Sequence, residues 1–210
     1  MSRIYDISRT ISAHTAVWPG DRPFSYQQPL RIRQGASVNL TTLTLSAHTG
    51  THADAPYHFD DAGAFPAALP LERYLGPALV VSIARRSGGI VPADVAGHDL
   101  RGMQRVLLHT WVSALADNVW PEDFPYPTLA LIDWLAARGV LLLGVDMPSV
   151  DPFESKTLDG HHRLHQHGMA HLESLCLHEV PDGAYELIAL PLKLAPACAS
   201  PVRAALRTLE

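Results

Sequence analysis

The sequence predicts one mixed α/β domain made of many short strands and few helices. Three observations predict it. The chain has 210 residues, the span of one domain of ordinary size. Its 17 prolines are spread from end to end, which suits short elements joined by turns rather than a helical bundle. The apolar runs are brief and bounded by Gly or Pro, the pattern of buried strands. Hydrophobic residues make up 47% and charged residues 18%, so the chain can fill a core and does not have a disordered composition.

Each element has its own signal. Residues 3–11 read as a first strand. Trp18-Pro19-Gly20-Asp21 is a turn, because Pro-Gly interrupts regular structure. Residues 24–33 look extended. Residues 38–47 are rich in Thr, Leu and Val and read as a strand that leads directly into the segment 48–58. Residues 71–75 fit one helical turn. The apolar run 78–84 lies between Gly76-Pro77 and Ser87-Gly88-Gly89 and reads as a buried strand, as does 105–110. In 128–138 the apolar Leu129, Ile132, Leu135 and Ala136 have helical spacing, with Thr128 as the cap and Gly139 as the stop. Residues 140–145 are a further buried strand. Residues 159–173 are histidine-rich and part helical, with Leu164, Ala170 and Leu172 as apolar contacts. The runs 175–180 and 185–194 flank Pro181-Asp182-Gly183 and read as a hairpin. A closing strand is expected at 202–206. No repeat, low-complexity segment or linker interrupts this order.

Composition also excludes function classes. The net charge is −5 and no stretch is densely basic, so a nucleic-acid partner is not expected. No apolar run reaches the roughly 18 residues of a membrane span, and the N-terminal residues lack a secretory signal. Cys176 and Cys198 have no metal-ligand spacing and read as two buried thiols. These features predict a soluble, cytoplasmic protein. A Gly-x-Ser-x-Gly elbow, a phosphate loop and a dinucleotide fingerprint are all absent.

The chemistry concentrates in His48-Thr49-Gly50-Thr51-His52-Ala53-Asp54-Ala55-Pro56-Tyr57-His58. Three imidazoles and a carboxylate within eleven residues suit zinc, manganese or iron, and the lack of thiolates argues against a structural zinc site. Gly50 permits a tight turn and Pro56 prevents a continuous helix, so a strand end followed by a turn can aim these side chains at one point. A second cluster, His161, His162, His165, His167 and His171 with Glu173, supplies a candidate His and carboxylate to complete the site. A straight helix would hold His161 and Glu173 about 18 Å apart, at roughly 1.5 Å per residue. The chain must therefore bend between them if both are ligands, and Gly168 is the expected place. His162, His165, His167 and His171 read as a solvated or partly buried face.

The run His48 to His58 resembles the metal motif of the cyclase family, and within that family the chain is most similar to the bacterial kynurenine formamidases. Supporting stretches are Trp18-Pro-Gly-Asp21, Gly144-Val-Asp-Met-Pro-Ser149, Glu154-Ser-Lys-Thr157 and Tyr185-Glu-Leu-Ile-Ala-Leu-Pro-Leu192. The resemblance implies a swivelling β/β/α fold with a barrel-like mixed sheet, a homodimer, and two zinc ions per subunit, with manganese or another divalent metal as the other candidate. It implies hydrolysis of N-formyl-L-kynurenine to L-kynurenine and formate. It assigns His48 and His52 to one ion, His161 to the other, and Asp54 and Glu173 to both. His58 matches the proton-transfer residue and Trp18 the aromatic that contacts substrate. The family spacing that the resemblance implies before Glu173 favours His161 over His162. His171 and Ser174 stand where the resemblance leads one to expect an apolar and a small residue. Two other readings remain open: a related amide hydrolase of the isatin-hydrolase kind, and a metal-binding protein without turnover.

Overall fold

The computed structural model describes residues 2–209, and its frame is a nine-stranded mixed sheet. The first strands are β1 (Ile4–Asp6), β2 (Ser25–Leu30), β3 (Leu40–Thr44), β4 (His52–Asp54) and β5 (Leu75–Ser82). They are followed by β6 (Gly88–Ile90), β7 (Arg105–His109), β8 (Pro125–Pro127), helix α1 (Leu129–Ala136) and β9 (Leu142–Val145). Helix α2 (Asp159–Gln166), β10 (Ala170–Glu173), β11 (Gly183–Ile188), β12 (Ala199–Pro201) and β13 (Ala205–Thr208) complete the chain.

The main sheet runs β1-β13-β11-β5-β7-β9-β10-β4-β12. Its centre, β5-β7-β9-β10, is parallel, and the flanking pairs are antiparallel. Parallel strands are covered on both faces and so need continuous apolar runs. Ala78–Val81, Val106–Leu108 and Leu142–Val145 supply them, and all are buried. One face packs Leu79, Val81, Val106, Leu108, Leu143 and Val145 against Leu131, Ile132 and Leu135 of α1 and Leu164 of α2. Thr128 caps α1 by accepting from the Leu131 amide, as its sequence position predicts. The other face carries Ala53, Val80, Leu107, Leu142, Leu172 and Leu187. Burying one such leucine contributes roughly 1.5–3 kcal/mol.

The sheet curls around this second core. Just past β1, Ser8 bridges Leu175, just past β10, and the Cys176 amide donates to the Ile7 carbonyl at 2.9 Å. One edge is thereby drawn toward the far half of the sheet, which gives the barrel-like form that the resemblance implied.

Three local expectations differ from the structure. The first strand is shorter than 3–11. The hairpin about Pro181-Asp182-Gly183 does not form: β11 pairs with β5 and β13. Residues 175–180 are committed elsewhere, since the Cys176 and Leu177 amides donate to Ile7 and Ser113 and Leu175, Leu177 and Val180 enter the inner core. The strand expected to run straight into segment 48–58 is β3, which pairs only with β2 outside the main sheet. A turn at Ser46–Thr49 separates it from β4. Among the described residues, no helix is long and apolar enough to cross a membrane.

Candidate metal centre

Strand pairing places the site. β10 and β4 pair antiparallel with Leu172 opposite Ala53 and Glu173 opposite His52. The same register, one residue on, sets His171 opposite Asp54. Side chains alternate along a strand, so His52, Asp54, His171 and Glu173 share one face. Ala53 and Leu172 point the other way, into the inner core. His48 comes from the turn before β4. His161 comes from α2, which ends at Gln166, and Gly168 at φ +64° reverses the chain into β10. That reversal is the bend that lets His161 and Glu173 meet.

The two carboxylates split their oxygens between two groups of donors. Asp54 Oδ1 lies 3.0 Å from His48 Nδ1 and 3.3 Å from His52 Nε2. Asp54 Oδ2 lies 3.4 Å from His161 Nε2 and 3.3 Å from His171 Nε2. Glu173 Oε2 is 3.4 Å from His52 Nε2, and Glu173 Oε1 is 3.6 Å from His161 Nε2. These are close to the roughly 3.3–3.4 Å edge of a tetrahedron drawn with zinc–nitrogen bonds of about 2.0–2.1 Å. Both Asp54 oxygens, His52 Nε2 and His171 Nε2 are buried without a hydrogen-bond partner among the described residues. Buried polar atoms are normally paired. Converging unpaired atoms of carboxylate and imidazole fit divalent cations.

The remaining ring atoms are tied down. His52 Nδ1 donates to the Gly50 carbonyl at 2.8 Å, which leaves Nε2 free to bind a metal. His161 Nδ1 donates to Asp151 Oδ2 at 2.6 Å. Asp151 also accepts from the amides of Gly160 and His161 at 2.8 and 3.1 Å, and so fixes the start of α2. Such partners set the tautomer and aim of a ligand imidazole. The Val150 amide donates to Glu173 Oε1 at 2.9 Å.

The electrostatics call for positive charge. Burial opposes ionisation of Asp54, but His48, His161 and His171 around it hold its carboxyl well below the usual carboxylate range. Burial and the Asp54 charge both work against Glu173, and His52 and His161 outweigh them to lower its pKa. Burial opposes the charge on His48, His52 and His161, yet their carboxylate partners raise them to about 11, about 9 and about 10. In a metal-free form these imidazoles would hold protons that a metal displaces on binding.

A cavity of about 370 Å³ opens onto this face, with His48, His52, His58, His161 and Glu173 along its floor. His58 is partly exposed, its Nε2 3.9 Å from Asp54 Oδ2 and its ring 4.2 Å from that of His48. Trp18 lines the same cavity, stacked at 5.1 Å on Phe153 and edge-on at 5.4 Å to Trp120. His162 is exposed and sits edge-on to Phe59, so of the doubled pair only His161 reaches the site.

Two expectations are corrected here. His171 is not on a solvated face: it is 3% exposed and belongs to the cluster. The cysteines are half-buried and free rather than fully buried, and Cys198 Sγ lies 3.2 Å from His48 Nε2. Its thiol is lowered to about 6 by hydrogen bonds from His48 and His58, against a smaller opposing effect of burial. Asp151 was missed altogether, because its contact to a residue ten positions on has no local signature. His171 had one, its place two residues before Glu173, where strand alternation sets both on one face.

The Cyclase family model matches residues 5–152, more than half of the chain; His48, His52, Asp54 and His58 fall inside the match, and His161, His171 and Glu173 beyond it. The chain is similar in structure to a potential metal-dependent hydrolase with cyclase activity, at 25% identity and a TM-score of 0.84 over 100% of both chains. It is also similar to a predicted metal-dependent hydrolase from Bacillus stearothermophilus, at 25% identity and a TM-score of 0.82 over 99% of this chain and 98% of that one. Isatin hydrolase A from Labrenzia aggregata, bound to benzyl benzoate, has the same fold at 24% identity and a TM-score of 0.84, over 100% of this chain and 94% of that one.

Proposed function

The chain belongs to the cyclase family, and we propose that it is a metal-dependent hydrolase that converts N-formyl-L-kynurenine to L-kynurenine and formate. The observation that carries this reading is the cluster of buried, unpaired carboxylate and imidazole atoms of Asp54, His52 and His171, of which His52 also lines an aromatic-walled cavity beside His161 and Glu173. His48, His52, Asp54, His161 and Glu173 would hold two divalent cations, zinc foremost and manganese as the other candidate. Such ions supply Lewis acidity and a water that loses its proton near neutral pH.

The chain's own residues do the rest. Trp18, backed by Phe153 and Trp120, offers a face on which the anilide ring stacks and so orients the formamide. His58, which lines the cavity with its Nε2 3.9 Å from Asp54 Oδ2, transfers the proton that the departing aryl amine needs. Asp21 lines the same cavity and offers a carboxylate to the α-ammonium group of the substrate, while Asp117 is already paired with Arg9 at 3.3 Å.

A second reading is ring opening of isatin, favoured by the fold shared with isatin hydrolase A. Isatin has no ammonium group, so Asp21 supports the first reading. The test is kcat/KM of the metal-loaded protein on both substrates. Faster turnover of N-formyl-L-kynurenine, reduced by Asp21→Asn, supports the proposal; faster turnover of isatin replaces it with the second reading.

We further propose a homodimer. Tyr26, Leu30, Leu40 and Leu43 are exposed on the β2–β3 hairpin, which stands apart from the main sheet. Apolar groups gathered on a projecting element mark an association surface.

A further inference from the structure

We infer that His171 is a metal ligand, and that with Asp54, His161 and Glu173 it forms a complete four-donor seat for the second cation. The inference rests on the metal-dependent reading above. It adds a ligand where the family resemblance leads one to expect an apolar side chain.

The argument is geometric. The donor atoms of Asp54, His161, His171 and Glu173 lie within 4.8 Å of one another. The edges measured above from Asp54 Oδ2 to the two imidazoles are 3.3 and 3.4 Å, close to those of a zinc tetrahedron. The two rings stand nearly perpendicular, 89° at 5.0 Å, and both present Nε2 to the same oxygen. His171 lies on a strand directly across from Asp54, so its backbone position is fixed as firmly as that of the carboxylate.

A structural role as a hydrogen-bond partner of Asp54 fits less well. His171 Nε2 and Asp54 Oδ2 are 3.3 Å apart and buried, and neither has a hydrogen-bond partner among the described residues. A buried pair evolved for mutual bonding would be aligned. Atoms that converge without bonding leave room for an ion between them.

The consequence is an asymmetric centre. Asp54, His161, His171 and Glu173 supply four protein donors to the second ion, as closed sites do. His48, His52 and the other oxygens of the two carboxylates face the first, beside the partly exposed His58 and the substrate cavity.

The test loads cobalt into the wild-type protein, His171→Ala, His171→Cys and, as a control on the exposed neighbour, His162→Ala. Bound metal per chain and the affinity of each ion are measured against a competing chelator. We expect two ions in wild type and in His162→Ala. In His171→Ala the first ion is retained, and the second weakens by more than the roughly 10–100-fold lost with an outer partner of a ligand. In His171→Cys a near-ultraviolet thiolate-to-cobalt band grows beyond any contribution of Cys198 seen in wild type. Equal affinities for both ions in wild type and His171→Ala overturn the inference and leave the two-ion reading standing. A wild type that takes one ion or none overturns both. The cysteine variant decides the matter if the alanine variant does not fold: the added band supports the inference, and its absence overturns it.

Discussion

Replacing Asp151 with Asn should weaken metal binding without touching a proposed ligand. Asp151 serves three donors, His161 Nδ1 at 2.6 Å and the amides of Gly160 and His161 at 2.8 and 3.1 Å. An amide side chain cannot serve all three. If its oxygen keeps the imidazole, its NH2 group meets the Gly160 amide, donor against donor. If it turns over, its NH2 group donates to Nδ1 and forces the proton onto Nε2, the atom that faces Asp54 and Glu173. In either orientation the charge-assisted bond is lost, and such bonds are worth about 1.5–3 kcal/mol. Loss of an outer partner of this kind typically costs about 10–100-fold in metal affinity, or roughly 1.4–2.7 kcal/mol. The assay is a competition titration with a chromogenic chelator, alongside circular dichroism to confirm the fold. Folded Asp151→Asn protein that binds both ions as tightly as wild type would show that Asp151 does not orient His161 for a metal.

Four further outcomes are expected. His58→Ala should lower turnover by about 10²–10⁴-fold while metal content stays full; loss of metal in that variant would make His58 a ligand instead. The imidazoles of His48, His52 and His161, raised to about 11, 9 and 10, should make metal loading at pH 7 release about three protons, measured by calorimetry in buffers of different ionisation enthalpy. Because these pKa values lie above the unfolded value of about 6.5, the stability they give the metal-free protein is full below that pH and lost as pH rises through about 9 to 11. The metal-free Tm should therefore fall across that window, and a flat profile would contradict the charge arrangement. Leu40→Lys with Leu43→Lys should turn a dimer into a monomer by light scattering, and an unchanged mass would remove the hairpin from the interface.

Much of the site was legible because its chemistry is local. His48, His52, Asp54 and His58 are contiguous, and a strand, a turn and a proline suffice to converge them. Helix α1 was legible from its spacing and from Thr128. His161 and Glu173 came from the family resemblance, while the chain length between them required a bend, which Gly168 supplies. His171 reads from sequence as part of a solvated or partly buried face because it is grouped with the histidines that precede Gly168. Past Gly168 the period is two, and two is what sets His171 beside Glu173. The hairpin failed for another reason. Its turn residues are real, but β5 and β13 take the hydrogen bonds of β11, and partner choice in a sheet is a tertiary matter. Asp151, Trp120, Phe153 and the Cys198–His48 contact depend on tertiary packing, and no sequence spacing announces them.

The central claim is that Asp54 and Glu173 anchor a metal centre on which hydrolysis depends. The most direct measurement is a titration of fully chelated protein with zinc, following N-formyl-L-kynurenine hydrolysis against bound metal per chain. The account predicts no turnover in the metal-free protein and a rise that completes at two ions per chain. Turnover that persists without metal, or a fully loaded protein that hydrolyses no aryl amide, would contradict it.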